Sequence, residues 1–191
     1  NDPSNDCYII ELSAGANLIS FYELPEDNSI ENIFDVHSDN ILGIIGESSS
    51  ATYIIGFGWV GSLLNISLDD GYWIIIDTSF DLEVVGMPSN DLIYSLHLGN
   101  NLISYPFVGC VAIEETIPEE VQPSIDAIIG EGTAALHNHE TDQWQGGIMN
   151  LCGTKGYWFV INTAVDSLTF LQPIDSDDLT RENTQVRREL P

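Results

Sequence analysis

Apolar residues occur along this chain in short runs bounded by Gly, Ser, Asn and Asp, a spacing that predicts strands more often than helices. Tyr8 to Leu12 and Asn17 to Tyr22 are two such runs, and Ser13-Ala14-Gly15-Ala16 between them predicts a hairpin. Ile41 to Glu47, Tyr72 to Asp77 and Phe80 to Val85 continue the pattern, as do Ile125 to Glu131, Tyr157 to Asn162 and Ser167 to Leu171. The runs Ile74-Ile75-Ile76 and Phe159-Val160-Ile161 are apolar on both faces, which predicts strands covered on both sides. Helical spacing is rare. Ser29 followed by Ile30, Ile33 and Phe34 predicts one short capped helix, and Ile117-Pro118-Glu119-Glu120-Val121 fits the same slot later, with Pro118 in its first turn.

The two helical slots belong to an internal repeat. Gly15-Ala16-Asn17-Leu18-Ile19-Ser20 recurs as Gly99-Asn100-Asn101-Leu102-Ile103-Ser104, and Ile44-Ile45-Gly46-Glu47 as Ile128-Ile129-Gly130-Glu131, both at an offset of 84. After a one-residue insertion the offset is 85: Trp59 matches Trp144, Gly61 matches Gly146, and Gly71-Tyr72-Trp73 matches Gly156-Tyr157-Trp158. The chain therefore divides into unit one at 7–86, unit two at 91–171, and a C-terminal tail at 172–191, with Gly86 to Asn90 as linker. The fold class is α+β and β-dominated: two homologous units of mostly antiparallel sheet or barrel, one short helix each. A unit of about 80 residues hides little more than 60% of its unfolded surface, so the two are expected to pack together.

Charge alters this picture by its distribution. The chain has 191 residues, 30 Asp plus Glu against 4 Lys plus Arg, and a formal net charge of −26. Residues 1–180 contain 28 acids and the single base Lys155, which is −27, while 181–191 hold Arg181, Arg187 and Arg188 against Glu182 and Glu189, which is +1. Such a body has no field to attract nucleic acid or an anionic membrane surface. With 24 Ile and 18 aromatic residues it is too apolar to be a disordered acidic chain. The longest nearly uncharged apolar stretch, Tyr53 to Leu64, is broken by three glycines and too short for a spanning helix. An acidic, lysine-poor surface suits a saline extracellular or cell-surface setting, and the start at Asn1 rather than Met reads as a processed or excised piece. The arginine-bearing tail is the one locally basic segment, a candidate to dock on an acidic body, its own or a neighbour's.

Three cysteines occur. Cys110 and Cys152 correspond to Glu26 (110 − 84) and Ser67 (152 − 85), so both are missing together from unit one. Joint absence is expected of a bonded pair, and a Cys110–Cys152 disulfide is predicted, two free buried thiols being the alternative. Cys7 is left over, to pair with another chain or an upstream segment.

Candidate chemistry is sparse. Glu47 and Glu131 recur as acids after Ile-Ile-Gly; as a pair they would suit glycoside hydrolysis only if about 5 to 10 Å apart. The preferred reading is structural, each accepting backbone hydrogen bonds within its own unit. His137-Asn138-His139-Glu140-Thr141-Asp142 is read as an exposed variable loop rather than a metal site. Asp69-Asp70 and Asp175 to Asp178 would attract calcium electrostatically but form no ligand loop, so no cofactor is assigned. Trp73 and Trp158 are expected in the core, whereas Trp59 and Trp144, flanked by glycines and polar residues, are the better candidates for exposed platforms that stack on glycans, with packing as a lid on the barrel end the preferred reading. No nucleophile elbow, phosphate loop or dinucleotide fingerprint is found.

The combination Gly-x-Asn-Leu-Ile-Ser, Ile-Ile-Gly-Glu, Trp-x-Gly and Gly-Tyr-Trp, spread over nearly all of residues 7–171, resembles a repeated module of secreted multidomain proteins from marine and other environmental bacteria and archaea. The resemblance implies an exported, non-catalytic, β-rich module, commonly in tandem, and carries no functional residues with it. The expected function is accordingly an extracellular structural or adhesive module that self-associates through its tail or joins neighbouring domains of a larger secreted protein; the alternative is a carbohydrate-binding module using Trp59 and Trp144.

Overall fold

A computed structural model describes residues 7–89 and 92–172. The first part runs β1 (Cys7–Leu12), β2 (Gly15–Ser20), β3 (Glu23–Leu24), α1 (Ile30–Ile33), a 3-10 segment (Asp35–Asn40), β4 (Ile41–Ile45), β5 (Ser50–Ile54), β6 (Gly58–Gly61), β7 (Gly71–Ile76), β8 (Phe80–Val85) and β9 (Met87–Pro88). The second runs β10 (Tyr94–Leu96), β11 (Gly99–Ile103), β12 (Cys110–Ala112), α2 (Ile113–Thr116), a 3-10 segment (Gln122–Ser124), β13 (Ile125–Gly130), β14 (Thr133–Asn138), β15 (Gln143–Gly146), β16 (Asn150–Cys152), β17 (Tyr157–Ile161) and β18 (Val165–Leu168). The fold is β-dominated with few, single-turn helices, as the spacing of apolar residues predicts.

Two five-stranded antiparallel sheets share one topology, β2-β7-β4-β5-β6 and β11-β17-β13-β14-β15. Equivalent positions pair in both: Ile44 opposite Ile74 and Ala51, and Ile128 opposite Phe159 and Ala135. Each sheet covers its own core. One gathers Phe21, Phe34, Ile44, Ile74 and Leu82, the other Tyr105, Ile113, Ile128, Phe159 and Phe170.

Several local expectations are corrected. β1 and β2 are not hairpin partners: β1 pairs with β8, while β2 pairs with β7 in the large sheet. The chain turns a corner between them, and Asn17 holds it, accepting from Ser13 N at 2.9 Å and donating to Ser13 O at 2.8 Å. Asn101 does the same to His97, at 2.8 Å in both directions. This explains the recurring Asn: its amide satisfies a backbone donor and acceptor that the corner withdraws from the ladder.

The first helix stands where expected, with Ser29 Oγ accepting from Asn32 N at 3.2 Å. The second lies earlier than Ile117 to Val121. It spans Ile113–Thr116 and ends at Ile117, which takes an extended conformation (φ −94°, ψ 123°). Pro118 disfavours a helical residue before it, so it follows the helix rather than opening it. The linker is also more ordered than a linker: Met87–Pro88 pairs with Glu23–Leu24. β5 and β6 form one hairpin and β14 and β15 another, and His137 and Asn138, expected in an exposed loop, lie in β14.

The predicted disulfide is present, joining Cys110 and Cys152, which face each other across the β12–β16 pair. Unit one holds the equivalent strap differently. Ile66 N donates to Asn28 O at 2.9 Å and Asn28 Nδ2 to Ile66 O at 2.8 Å. Cys7 is a free, exposed thiol.

Candidate functional site

The recurring polar residues converge on the seam where the two sheets meet, not on an open cleft. β2 and β11 are the edge strands there, and each is continued by the other half of the chain. Ile19 bridges Lys155 and Ile103 bridges Asp70, equivalent contacts since 19 + 84 = 103 and 155 − 85 = 70. Ser20 N donates to Thr154 O and Ser104 N to Asp69 O, both at 3.1 Å. The serine hydroxyls add bonds to Lys155 O at 2.7 Å and Leu68 O at 2.5 Å. Neither edge strand is left with an unpaired seam-facing backbone at these positions, which closes it to unwanted pairing.

Glu47 and Glu131 belong to this seam, and here the structure corrects the expected partner. Glu47 Oε2 accepts from Leu102 N at 2.8 Å, and Glu131 Oε2 accepts from Leu18 N at 3.1 Å. Each carboxylate bonds the opposite half of the chain rather than its own. A charge-assisted bond to a backbone amide is stronger than a neutral one, which accounts for an acid recurring at the end of an apolar strand. Gly71 and Gly156 permit the approach. A Cβ on Gly71 would lie 2.9 Å from Leu102 Cδ1 and 3.0 Å from Ile103 O, and on Gly156 2.7 Å from Ile19 O.

Two cavities flank the seam. The larger, about 450 Å³, is lined by Leu18, Glu131, Asn150, Lys155 and Tyr157 among others. The smaller, about 270 Å³, is its counterpart around Glu47, Asp69, Asp70 and His97. They differ because Asp70 replaces Lys155, and because His97 stands where unit one has Ser13 (97 − 84 = 13). His97 Nε2 lies 2.6 Å from Glu47 Oε1 and Nδ1 lies 2.9 Å from Leu98 O. Those two contacts raise the imidazole pKa above its ordinary value, the Leu98 carbonyl most. Asp70 is pushed up to about 6, first by desolvation and then by the charge of Asp69, with Glu47 a smaller contributor. Both imidazole nitrogens are engaged, so His97 has no free nitrogen to serve as base to Ser48, Ser49 or Ser95 nearby.

The other sequence candidates are dispersed. Trp144 is 8% exposed and its Nε1 donates to Gln122 Oε1 at 3.0 Å inside the core, while Trp59 is half-buried against Phe34 and Tyr53. Neither is an exposed platform; glycines flank them because a hairpin edge needs tight geometry, not because the indoles face solvent. Trp73 and Trp158, expected in the core, are half-buried on the outer sheet faces. His137 is a buried strand residue rather than part of an exposed loop. It packs on Trp144 at a ring separation of 4.8 Å, as Tyr53 packs on Trp59 at 5.4 Å. Tyr53 and His137 face these tryptophans across equivalent ladders, so the imidazole serves as an aromatic plate. Its Nε2 is 3.1 Å from Asp142 Oδ1 but without hydrogen-bonding geometry. His139 instead meets Asp126 at 2.8 Å. Among the described residues no group of three or more His, Cys, Asp or Glu is placed to hold a metal ion. Asp69 is engaged by the Ser67 hydroxyl, and Asp70 accepts from Tyr72 Oη at 3.4 Å. Asp175 to Asp178 and the tail arginines Arg181, Arg187 and Arg188 lie outside the described residues.

Asn17, Asn101, Ser20, Ser104, Gly71 and Gly156 were not among the sequence candidates, although recurrence marked all of them. Comparison with protein-family models, with curated proteins and with solved structures finds no match.

Proposed function

We propose that this chain is an extracellular structural or adhesive module, non-catalytic, whose role is to present a rigid paired-sheet body and to associate with further copies or with neighbouring domains. The observation that carries this reading is the seam. The polar side chains the repeat retains, Asn17, Ser20, Glu47 and their counterparts, are spent on backbone groups of the two halves, so among the described residues these recurring side chains are not assembled as nucleophile, base and orienting group. The Cys110–Cys152 bond supports an oxidising compartment, and the acidic surface supports a saline one. No helix among the described residues is long and apolar enough to cross a membrane. Self-association through the tail, with its arginines on an acidic body, is tested by deleting residues 181–191 and comparing sedimentation equilibria. The expected result is a lower average mass for the deleted chain at low salt. An unchanged oligomeric state and unchanged stability would overturn tail docking.

A further inference from the structure

The repeat supplies an internal control for surface residues. β5–β6 and β14–β15 are equivalent hairpins, in which Ile54 corresponds to Asn138, Gly58 to Gln143 and Val60 to Gln145. The tips differ most: Ile55-Gly56-Phe57 in the first, His139-Glu140-Thr141-Asp142 in the second. In the first hairpin Ile54, Ile55, Phe57 and Val60 are 44, 76, 86 and 52% exposed. In the second only Leu136 is a large exposed aliphatic, at 61%. One fold position thus tolerates a fully polar tip, and unit one carries an apolar one that its own packing does not require.

This hairpin is also an open edge. β6 ends its sheet, and no described strand lies beyond it. Its sequence, Gly58-Trp59-Val60-Gly61, has neither the charge nor the proline by which edge strands are usually protected. The whole stretch Ser48 to Leu68 lacks Asp, Glu, Lys, Arg and His, in a chain of net charge −26.

We propose that the β5–β6 hairpin is a self-association surface, on which β6 pairs antiparallel with β6 of a second copy and continues the five-stranded sheet across a two-fold axis. The occupant follows from charge. Two acidic bodies repel wherever carboxylates face each other, and this hairpin is a place where identical copies meet without them. An isologous edge pair is self-complementary: each β6 offers the same outward donors and acceptors, and about a two-fold axis at Val60 each Val60 meets its own copy while Phe57, at the tip, lies beside the far end of the second copy's β6. An anionic lipid surface is disfavoured by the body's charge. The contact is small, so the dimer is a weak, concentration-dependent one. The inference shares with the proposed function only the premise that copies associate; the interface is independent of the tail.

Salt separates the two. Edge pairing between acidic bodies strengthens as salt screens their repulsion, whereas arginine docking on an acidic surface weakens. Sedimentation equilibrium of the intact chain across protein and NaCl concentrations is expected to show a dimer that grows with salt. Val60→Lys and Phe57→Ser should each raise the dimer dissociation constant by about tenfold or more, since they place charge or polarity at the contact. Leu136→Lys on the equivalent hairpin and deletion of 181–191 should leave this salt-strengthened dimer intact. Circular dichroism of each variant checks that the fold persists. As a second readout, Cys7→Ser/Val60→Cys should form a disulfide-linked dimer on mild oxidation, while Cys7→Ser/Leu136→Cys should not. The proposal is overturned by a monomer at every protein and salt concentration. It is equally overturned by a dimer that Val60→Lys leaves unchanged and the tail deletion abolishes, or by a monomeric chain that co-sediments with phosphatidylcholine vesicles through Phe57.

Discussion

Glu47 Oε2 and Leu102 N lie 2.8 Å apart across the seam, and the equivalent pair, Glu131 Oε2 and Leu18 N, is reciprocal at 3.1 Å. Each half of the chain thus completes the backbone hydrogen bonding of the other. A carboxylate lost from such a position leaves an amide unsatisfied. Glu47→Ala and Glu131→Ala are each expected to cost about 1.5 to 3 kcal/mol, read as a lower urea midpoint, and Gln should recover part of it. A cost no larger than that of an exposed acid elsewhere, such as Glu11→Ala, would show that the seam bond contributes nothing net.

Close approach at the seam depends on missing side chains. A methyl group on Gly71 would meet Leu102 Cδ1 at 2.9 Å, and one on Gly156 would meet Ile19 O at 2.7 Å. Gly71→Ala meets the Leu102 side chain first, with backbone Ile103 O at 3.0 Å, whereas Gly156→Ala meets backbone first and more closely. Both should destabilise by about 1 to 3 kcal/mol, with Gly156→Ala the worse. Equal and negligible shifts in thermal midpoint would mean the halves separate freely by a few tenths of an ångström.

The sequence was most legible where two copies could be compared. The offsets of 84 and 85 marked Ile44 with Ile128 and Ile74 with Phe159 as corresponding strand positions, and they occupy matching places in the two sheets. Joint absence of Cys110 and Cys152 from unit one identified the disulfide. What was not legible is which element pairs with which. Adjacent β1 and β2 look like a hairpin because local pattern reports strand formation, whereas the corner is decided by Asn17 reaching four residues back. Glu47 showed the same limit. Its recurrence announced a role, but its partner lies 55 residues away in the other half. For Trp59 and Trp144 packing is the reading preferred over an exposed platform, and they are half-buried and buried; the aromatic neighbour each packs on, Tyr53 or His137, was not legible.

The corner itself gives a further test. Asn17 is 7% exposed and Asn101 3%, and each spans its corner with one donated and one accepted bond to the same backbone residue. Asn→Asp keeps the acceptor but replaces the donor with a carboxylate facing a carbonyl, so Asn101→Asp should be at least as harmful as Asn101→Ala. About 2 kcal/mol is expected for Ala, the sum of two modest bonds and a partly buried void. A thermal midpoint for Asn101→Asp at or above wild type at neutral pH would contradict this account.

Reduction of the disulfide should be costly although the strap is short. Cys110 and Cys152 are 42 residues apart in sequence, so their bond restricts a long stretch of the unfolded chain. The chain-entropy model gives about 4 kcal/mol for a loop of that size. Cys110→Ser/Cys152→Ser should lower the urea midpoint accordingly without altering the far-ultraviolet spectrum, because the same strap in unit one holds through Asn28 and Ile66 without a disulfide. Loss of secondary structure in that double variant would mean the bond is needed to form the strap, not only to hold it.

Asp70 sets a pH dependence whose direction can be worked out. Its carboxyl ionises near 3.8 in an unfolded chain and is pushed up to about 6 in the fold, by desolvation first and then by Asp69, while the Tyr72 hydroxyl opposes the rise. Between those values the folded chain keeps a proton that the unfolded chain has released. Stability therefore falls as pH climbs through that window, with the penalty absent at lower pH and complete above about 6. His97, in the same cavity, acts in the same sense: its pKa is raised, so its contribution is present below 6.5 and lost as pH rises through its folded value. Asp70→Asn removes the first effect alone. Discounted for solvent screening of a group that is partly exposed, the gain should be at most about 1 kcal/mol at pH 8 and near zero at pH 3.5. Urea midpoints of wild type and Asp70→Asn at the two pH values measure it. An equal shift at both would show that the carboxyl is not destabilised by its setting, and that the Asn acts only through a changed hydrogen bond to Tyr72.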